Sequence, residues 1–214
     1  TLVQGAWALA LGRRTPDGDV VFGMTTAGRA GELPGVEQMV GLCSNTLPRR
    51  VRLDPSARVT DWLGDLQARQ AEEQSHDTCS LVDIQRWGSA PAGEALFDSV
   101  VVFENYPVGT LADDAAVSMD EITVSAVASF EEGIDFPLCL VAAPGARMSF
   151  RLIFGRQRFD AVAMSGLADD FVSLLMMIAA DPERRLAALW PGAGAPYRAP
   201  QDDVIDTPTS PSPR

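Results

Sequence analysis

The sequence predicts an α/β sandwich in which helices pack against a mixed β-sheet. Three observations predict this class. Apolar residues recur with helical periodicity at the start of the chain, short apolar runs with strand composition follow, and a long apolar helix closes the pattern after Asp160. This order of helix, strand, helix, strands and helix is typical of one sheet covered by helices.

The first half supplies two helices and two strands. Apolar residues at three- and four-residue intervals predict an amphipathic helix that stops before the turn at residues 15–19: Leu2, Val3, Ala6, Trp7, Ala10 and Leu11. A buried strand is predicted at 20–26, a Gly- and Pro-rich loop at 27–34, and a short strand or the end of a strand at 51–53. Thr60 is a candidate N-cap for a helix to about Gln74 that buries Trp62, Leu63 and Leu66.

The second half supplies most of the sheet. The β-branched run in "LFDSVVVFENYP" predicts a central strand, and further strands are predicted at 119–130, 136–143 and 148–154. The last two form a hairpin with Met148, Phe150 and Leu152 on one face. Asp160 caps the final helix, whose core face comprises Leu167, Phe171, Leu174, Leu175 and Ile178. Pro182 is either its stop or part of the first turn of a short continuation.

Composition excludes several functional classes. A net charge of -12 and a pI near 4.4 argue against nucleic acid as a partner. The longest strongly apolar helical run, residues 171–180, has about half the ~20 residues needed to cross a bilayer, so no membrane partner is expected. Cys43, Cys79 and Cys139 are odd in number and widely spaced, which indicates neither a disulfide framework nor a zinc site and fits the cytoplasm.

Two regions are expected along the chain. Residues 1–190 have the composition of a folded unit, whereas residues 191–214 are rich in Pro, Gly, Ser and Thr and have the composition of a flexible linker. The chain begins directly in a helical pattern at Thr1, which suggests a piece of a longer polypeptide.

The patterns that most resemble chemical sites have simpler explanations. Ser75, His76 and Asp77 are chain neighbours, so their side chains project in different directions and do not form a nucleophilic triad. Solvated faces explain the acidic pairs Asp113/Asp114, Glu131/Glu132, Asp169/Asp170 and Asp202/Asp203 better than metal binding does. The glycines between Gly28 and Gly35 lack a phosphate-binding motif.

Two polar stretches are stronger candidates. "GLCSNTLPRR" places Asn45 and Thr46 just ahead of Pro48, and "FENYP" places Asn105 and Tyr106 at the end of a buried strand. Amides and phenols in such places can orient a polar substrate, although on spacing alone the preferred interpretation is that they are hydrogen-bonded turn residues.

These stretches resemble the later motifs of the condensation domain of nonribosomal peptide synthetases. The resemblance rests on "VVFGMTTAGRAGELPGVEQMVGLCSNTLPRRV", "SHDTCSLVDIQRW" and "LFDSVVVFENYP", with "DFPLCLVAAPG" and "DPERRLAAL" further on. It runs from residue 1 to about 190, and these motifs are most similar to those of the subtype that joins two L-configured residues. The chain departs from the family where Cys43 and Ser44 replace an aromatic and an aliphatic residue, and where Asp135 and Phe136 precede Pro137.

The family's catalytic signature HHxxxDG does not occur in these 214 residues. The resemblance therefore implies a C-terminal lobe with a chloramphenicol-acetyltransferase-like fold and no catalytic residue of its own. Asn105, Tyr106, Asn45 and Ser80 would line the substrate tunnel or anchor its loops. The loop between Gly23 and Gly41, with Gly28, Arg29 and Gly35, would form the tunnel floor, and a segment within 118–140 would cross to the other lobe.

The resemblance also implies partners. These are the N-terminal lobe of the same domain, donor and acceptor peptidyl carrier proteins, and an adjacent adenylation domain after the linker. No cofactor would bind directly, because substrates arrive on the phosphopantetheine arms of carrier proteins. The face towards the missing lobe should expose apolar surface. Two alternatives remain: a lobe of an epimerization domain, which typically has FNYLG where this chain has "FENYP", and a non-catalytic carrier-protein interaction module.

Overall fold

The computed structural model describes residues 1–15, 17–29, 34–88, 94–104, 117–119, 122–124, 136–145 and 147–190. Side chains of residue 37 and of the two three-residue segments are outside this description. The helices are α1 (Leu2–Gly12), α2 (Val59–Glu73), α3 (Leu81–Trp87) and α4 (Ala161–Ala180). The strands are β1 (Asp19–Thr26), β2 (Asn45–Arg52), β3 (Ser99–Phe103), β4 (Val117–Met119), β5 (Ile122–Val124), β6 (Leu138–Ala143) and β7 (Ser149–Phe154).

Five strands form one mixed sheet in the order β2-β1-β3-β6-β7. The inner strands β1, β3 and β6 are parallel, and the outer strands β2 and β7 pair antiparallel with β1 and β6. The carboxyl ends of the three parallel strands therefore meet at one edge. The predicted class, a mixed sheet packed with helices, is confirmed, and so is the hairpin of β6 and β7.

Strand β2 ends at residue 52, within the predicted short strand or strand end, and its first six residues precede that segment. It begins at Asn45, and all eight of its residues pair with β1. Pro48 lies within this strand opposite Gly23. A proline has no N–H to donate, so it is tolerated in a strand mainly at the edge of a sheet, which is where β2 lies.

Two further strands pair with each other outside this sheet. β4 and β5 are antiparallel and are joined through residues 120 and 121. The sequence predicts a single strand at 119–130, so the described part of this region corrects that prediction. The proposed crossing segment within 118–140 lies mostly outside the described residues.

Helix α1 is a buried core helix and not an amphipathic one as predicted. Burial extends beyond the predicted stripe to Gln4, Gly5, Ala8 and Leu9. The helix contacts β1, α2 and α4, and the Trp7 ring meets the edge of Phe171 with centroids 6.0 Å apart. Small residues such as Gly5, where an added Cβ would meet Leu63, allow neighbouring elements to approach on several sides.

Helix α4 confirms the predicted cap and core face. The Asp160 carboxylate accepts from the Ala163 N–H, and Leu167, Phe171, Leu174 and Ile178 are buried. The helix has 20 residues and is apolar enough to span a membrane by length and composition. One face of the helix is buried against α1 and the core, whereas Val162, Val172 and Met176 are exposed.

Asp170 corrects the prediction that the acidic pairs are solvated. Its side chain is fully buried and receives two charge-assisted bonds, from Arg13 Nη1 at 3.3 Å and Arg14 Nη2 at 2.7 Å. Arg13 also donates to the Leu189 carbonyl from Nε and Nη2. This cluster joins the end of α1, the middle of α4 and the last described segment.

We expect Asp170→Asn to lower the free energy of unfolding by about 2 kcal/mol, because an amide removes the charge that two arginines share and keeps only one acceptor. Urea denaturation measures the change. The control is Asp169→Asn, which makes the same chemical change at an exposed neighbour and should stay within about 0.5 kcal/mol. Equal shifts in the two variants would contradict a structural role for Asp170.

The N-cap prediction for α2 is wrong. The helix begins at Val59, so Thr60 lies inside its first turn, and the capping position belongs to Arg58, which makes no side-chain cap bond. The main chain replaces the side chain here: Val59 and Thr60 donate their N–H groups to the carbonyls of Arg184 and Pro182. Trp62 and Leu66 are buried as predicted.

The segment after α4 is an integral part of this unit. Helix α4 ends at Ala180, two residues before Pro182, and a 3-10 turn at Leu186–Ala188 leads to Trp190. The Trp190 indole donates to the Gly12 carbonyl at 3.0 Å, and its ring covers Gly18, where no Cβ would fit. The predicted linker at 191–214 lies outside the described residues, so its role stays a prediction.

Candidate functional site

The main candidate site is a cleft at the carboxyl ends of β1 and β3. It has a volume of about 490 Å³ and is bounded by the end of β1, the end of β3 and the chain entering β2. Its lining comprises Thr25, Thr26, Ala27, Arg29, Gly41, Leu42, Cys43, Ser44, Val102 and Phe103. In sheets with parallel strands, ligands bind most often at this edge.

The rim of the cleft is apolar and exposed. Met39, Val40 and Leu42 lie in the chain between β1 and β2, and Val40 and Leu42 are almost fully exposed. Phe103 at the end of β3 is 39% exposed. An exposed apolar patch of this kind marks a surface that binds a ligand or another protein surface.

Gly28 closes the base of the loop between β1 and β2. Its φ is +61°, and a Cβ built on it would lie 1.6 Å from the Cys43 carbonyl oxygen. The two ends of the loop therefore touch main chain to main chain, which only glycine permits. This contact sets the position of Cys43 in the cleft wall.

Arg29 and Gly35 shape the same loop. Arg29 Nη1 donates to the carbonyls of Val36 at 2.6 Å and Met39 at 2.9 Å. Gly35 has a φ of +79° and precedes the 3-10 turn at Val36–Gln38. Gly28 and Arg29 thus adjoin the cleft, whereas Gly35 lies further out and has open space around it.

Asn45 joins the start of β2 to the connection between α2 and α3. Its amide nitrogen donates to the carbonyls of Asp77 and Cys79, both at 2.8 Å, and its oxygen accepts from the Thr46 N–H. All hydrogen-bonding capacity of the two amide protons is used within the chain. Asn45 therefore anchors a loop next to the cleft wall, two residues after Cys43.

Ser80 lies at the N-cap of α3, a helix that the sequence does not predict. Its hydroxyl accepts from the Asp83 N–H at 3.1 Å and lies 2.7 Å from the Asp83 carboxylate. Ser80 directly follows Cys79, whose carbonyl Asn45 holds. The pattern Ser-x-x-Asp is a capping signal from which this helix could have been found, but it was not used in the prediction.

A buried arginine on β2 interacts with acidic residues at the end of α2 and in the connection to α3. Arg49 on β2 is 6% exposed and pairs with Glu73 at the end of α2. Burial lowers the pKa of the Arg49 guanidinium, while the charges of Glu73 and Asp77 act in the opposite direction. Burial likewise raises the pKa of Asp77, and Arg49 partly counteracts this.

The Ser75–Asp77 stretch does not form a catalytic triad. His76 is exposed at the end of a 3-10 turn, and the Ser75 hydroxyl donates to the Glu72 carbonyl instead of the imidazole. Asp77 participates through its carbonyl with Asn45. Among the described residues, no group of three or more metal-binding side chains comes together.

Asn105 and Tyr106 lie outside the described residues, so their assignment stays a prediction. The last described residue before them is Glu104, which pairs with Arg151 at 3.6 Å. The sequence did not predict that Thr25, Thr26, Leu42, Val102 and Phe103 line the cleft. A signal exists for three of them, because Leu42 and Phe103 lie within the two polar stretches singled out above and Val102 directly precedes the second. Thr25 and Thr26 reach the cleft through the pairing of β1 with β2, which the sequence did not predict.

The chain belongs to the condensation domain family, since the family model matches residues 1–191. It is similar to a linear gramicidin synthase from Brevibacillus parabrevis, with 42% identity over 189 residues. It is also similar to chondramide synthase cmdD of Chondromyces crocatus, with 40% identity over 191 residues. Each match covers 88% of this chain and only 2% or 5% of the relative.

Solved structures agree in fold. A four-domain nonribosomal peptide synthetase bound to AMP and glycine superposes with a TM-score of 0.75 at 14% identity, covering 87% of this chain and 15% of that one. A starter condensation domain of rhizomide synthetase gives 0.68 at 19% identity, covering 87% and 43%. The fold is therefore that of part of such chloramphenicol-acetyltransferase-like domains, as the sequence predicts, and the assignment to their C-terminal lobe stays a prediction.

Proposed function

We propose that this chain is the C-terminal lobe of a condensation domain that joins two thioester-bound residues through a peptide bond. The supporting observation is the cleft: in a chain of this family, an open apolar-rimmed cleft at the carboxyl ends of β1 and β3 is suited to one wall of a substrate tunnel. The second wall would come from an N-terminal lobe.

The proposed reaction is thioester aminolysis. The amine of the acceptor aminoacyl thioester attacks the donor carbonyl carbon, a C–N bond forms, the C–S bond breaks, and the amine proton ends on the released thiol. A thioester is already an activated acyl donor, so alignment of the two substrates can supply much of the acceleration. This lobe would help to align the two substrates, and Asn105 and Tyr106 would form hydrogen bonds near the reacting centre.

The partners in this proposal are donor and acceptor peptidyl carrier proteins, an adenylation domain after the linker, and the N-terminal lobe with its HHxxxDG signature. The substrates would arrive on phosphopantetheine arms, and the assembly would work in the cytoplasm. The subtype would be the one that joins two L-configured residues. Gly28, Arg29 and Gly35 would belong to the tunnel floor, with Asn45 and Ser80 as anchors of its supporting loops.

The decisive experiment compares this chain alone with this chain plus a separately produced N-terminal lobe. Loaded donor and acceptor carrier proteins are supplied, and mass spectrometry follows transfer of the donor residue to the acceptor. We expect product only from the mixture. Product from this chain alone would contradict the proposal, and an acceptor with inverted configuration and no new bond would indicate an epimerization lobe.

We expect His76→Ala in the two-lobed domain to retain at least half of the wild-type turnover, because the imidazole is exposed at the end of a turn. The readout is single-turnover product formation, with circular dichroism as the folding control. Substitution of the signature histidine in the other lobe serves as the inactive reference. A loss equal to that reference would place His76 in the active site.

A further inference from the structure

The loop at residues 34–42, the cleft loop, extends into solvent, although this conformation leaves its apolar side chains unburied. Val40 and Leu42 are 103% and 93% exposed, and Met39 is 44% exposed. Apolar surface in water favours collapse onto the nearest apolar neighbour. The nearest candidates are Val102 and Phe103, which line the same cleft as Leu42. Something other than burial must therefore keep the loop in place.

The loop's own hydrogen bonds are few. Gln38 donates to the Gly35 carbonyl at 3.0 Å and Met39 donates to the Val36 carbonyl at 3.2 Å, which closes a single 3-10 turn. One isolated turn is a weak constraint, because its nucleation fixes several dihedral angles for very few bonds.

Arg29 supplies the restraint from outside the loop. Its Nη1 bridges two carbonyls, one at the start of the turn (Val36, 2.6 Å) and one directly after it (Met39, 2.9 Å). Within the described ranges, no other side chain from outside the cleft loop bonds to it. Arg29 directly follows Gly28 in the chain, and the contact of Gly28 with Cys43 fixes the base of the loop.

We infer that Arg29 is a positioning residue that keeps the cleft loop open and the cleft accessible to substrate. Bonds from a charged donor are stronger than neutral ones, so one nitrogen can hold both ends of the turn. Without it, the loop loses its fixed conformation, so its main chain becomes mobile and Met39 and Leu42 can move across Val102 and Phe103 and obstruct the cleft. The effect on the reaction rests on the proposed function, whereas the effect on the loop does not.

The first test is limited proteolysis of this chain with chymotrypsin. Arg29→Met keeps the length of the side chain and removes its donors, and we expect about tenfold faster cleavage after Met39 and Leu42. Cleavage after the exposed Trp87 is the internal reference and should not change. Arg156→Met, which removes an exposed arginine from the turn after β7, is the matched control. Arg29→Lys should restore most of the protection because its ammonium also donates.

The second test measures turnover of the same variants in the two-lobed domain. We expect Arg29→Met to lower kcat about tenfold, with Arg29→Lys in between and an unchanged thermal midpoint. Unchanged cleavage with a lower kcat would make Arg29 a substrate contact and overturn the inference. Faster cleavage with an unchanged kcat would also overturn it, because the conformation of the loop would then not matter for turnover. If the wild-type two-lobed domain forms no peptide bond, the proposed function fails, while the cleavage rates still decide whether Arg29 holds the loop.

Discussion

Gly28→Ala is expected to lower the free energy of unfolding by about 4 kcal/mol, from two separate causes. A side chain at a φ of +61° costs about 1–2 kcal/mol in the left-handed region. In addition, the new Cβ would lie 1.6 Å from the Cys43 oxygen, so the two main-chain segments must separate. Overpacking of this kind costs about 1–3 kcal/mol.

The consequence is local as well as global. Cys43 lies in the cleft wall and Gly28 at the base of the loop, so separation of the two moves the wall relative to β3. In the two-lobed domain, turnover should therefore fall even at temperatures where Gly28→Ala is folded. Urea denaturation gives the stability, and single-turnover assays below the unfolding midpoint give the second effect.

Gly64→Ala is the matched control. Gly64 lies in α2, and a Cβ there meets no atom within 4 Å, so alanine should stabilise the helix by about 0.5–1 kcal/mol. The two substitutions thus have opposite expected signs. A Gly28→Ala variant as stable as the wild type would mean that the loop base can open without loss.

Local sequence patterns were sufficient to predict most strands of the sheet and helix α4. Strand composition at residues 99–103 and 138–154 and the spacing of Leu167, Phe171 and Leu174 depend only on near neighbours in the chain. Pro48 shows the limit of such patterns. A proline argues against a strand, and only the position of β2 at the edge of the sheet makes it acceptable.

Long-range contacts account for what the sequence did not predict. Asp170 resembles a solvated acid because its partners, Arg13 and Arg14, are more than 150 positions away in the chain. Helix α1 resembles an amphipathic helix because the elements that cover its second side, α2 and α4, cannot be placed from its own sequence. One signal was available: residues 2–12 contain no charged side chain.

In the candidate site, too, local patterns were predicted from the sequence and long-range contacts were not. The polar stretches at residues 41–50 and 75–87 were recognised, but not that Asn45 in the first holds two carbonyls in the second. An amide can bond to substrate or to main chain, and only the distance to Asp77 and Cys79 distinguishes the two. Anchoring fixes where α3 begins, because Ser80 follows Cys79 directly.

Asn45→Asp is expected to lower the free energy of unfolding by about 3 kcal/mol. A carboxylate cannot donate, so both bonds at 2.8 Å are lost, each contributing roughly 0.5–1.5 kcal/mol. The negative charge would then face two carbonyl oxygens, which adds repulsion. Asn45→Ala loses the bonds without the repulsion and should cost about 1–2 kcal/mol less. Urea denaturation at pH 7 measures both variants.

Acidification should reverse part of this loss. The carbonyl oxygens favour the protonated acid, so the pKa of the introduced carboxyl group is raised in the folded chain relative to the unfolded one. The penalty is therefore full above that raised pKa and shrinks as the pH falls through it, because the neutral acid can donate one bond. Asn45→Ala has no such group, and its deficit relative to the wild type should not change with pH.

Gln67→Glu makes the same amide-to-carboxylate change on the exposed side of α2, and its stability should stay within about 0.5 kcal/mol of the wild type. Amide hydrogen exchange then locates the effect, because release of the Asp77 and Cys79 carbonyls should deprotect the first turn of α3 in Asn45→Asp. Protection of α3 equal to that in the wild type would show that Asn45 does not hold this connection. In that case the amide would be available to substrate, and its position next to the cleft wall would have to be explained by binding.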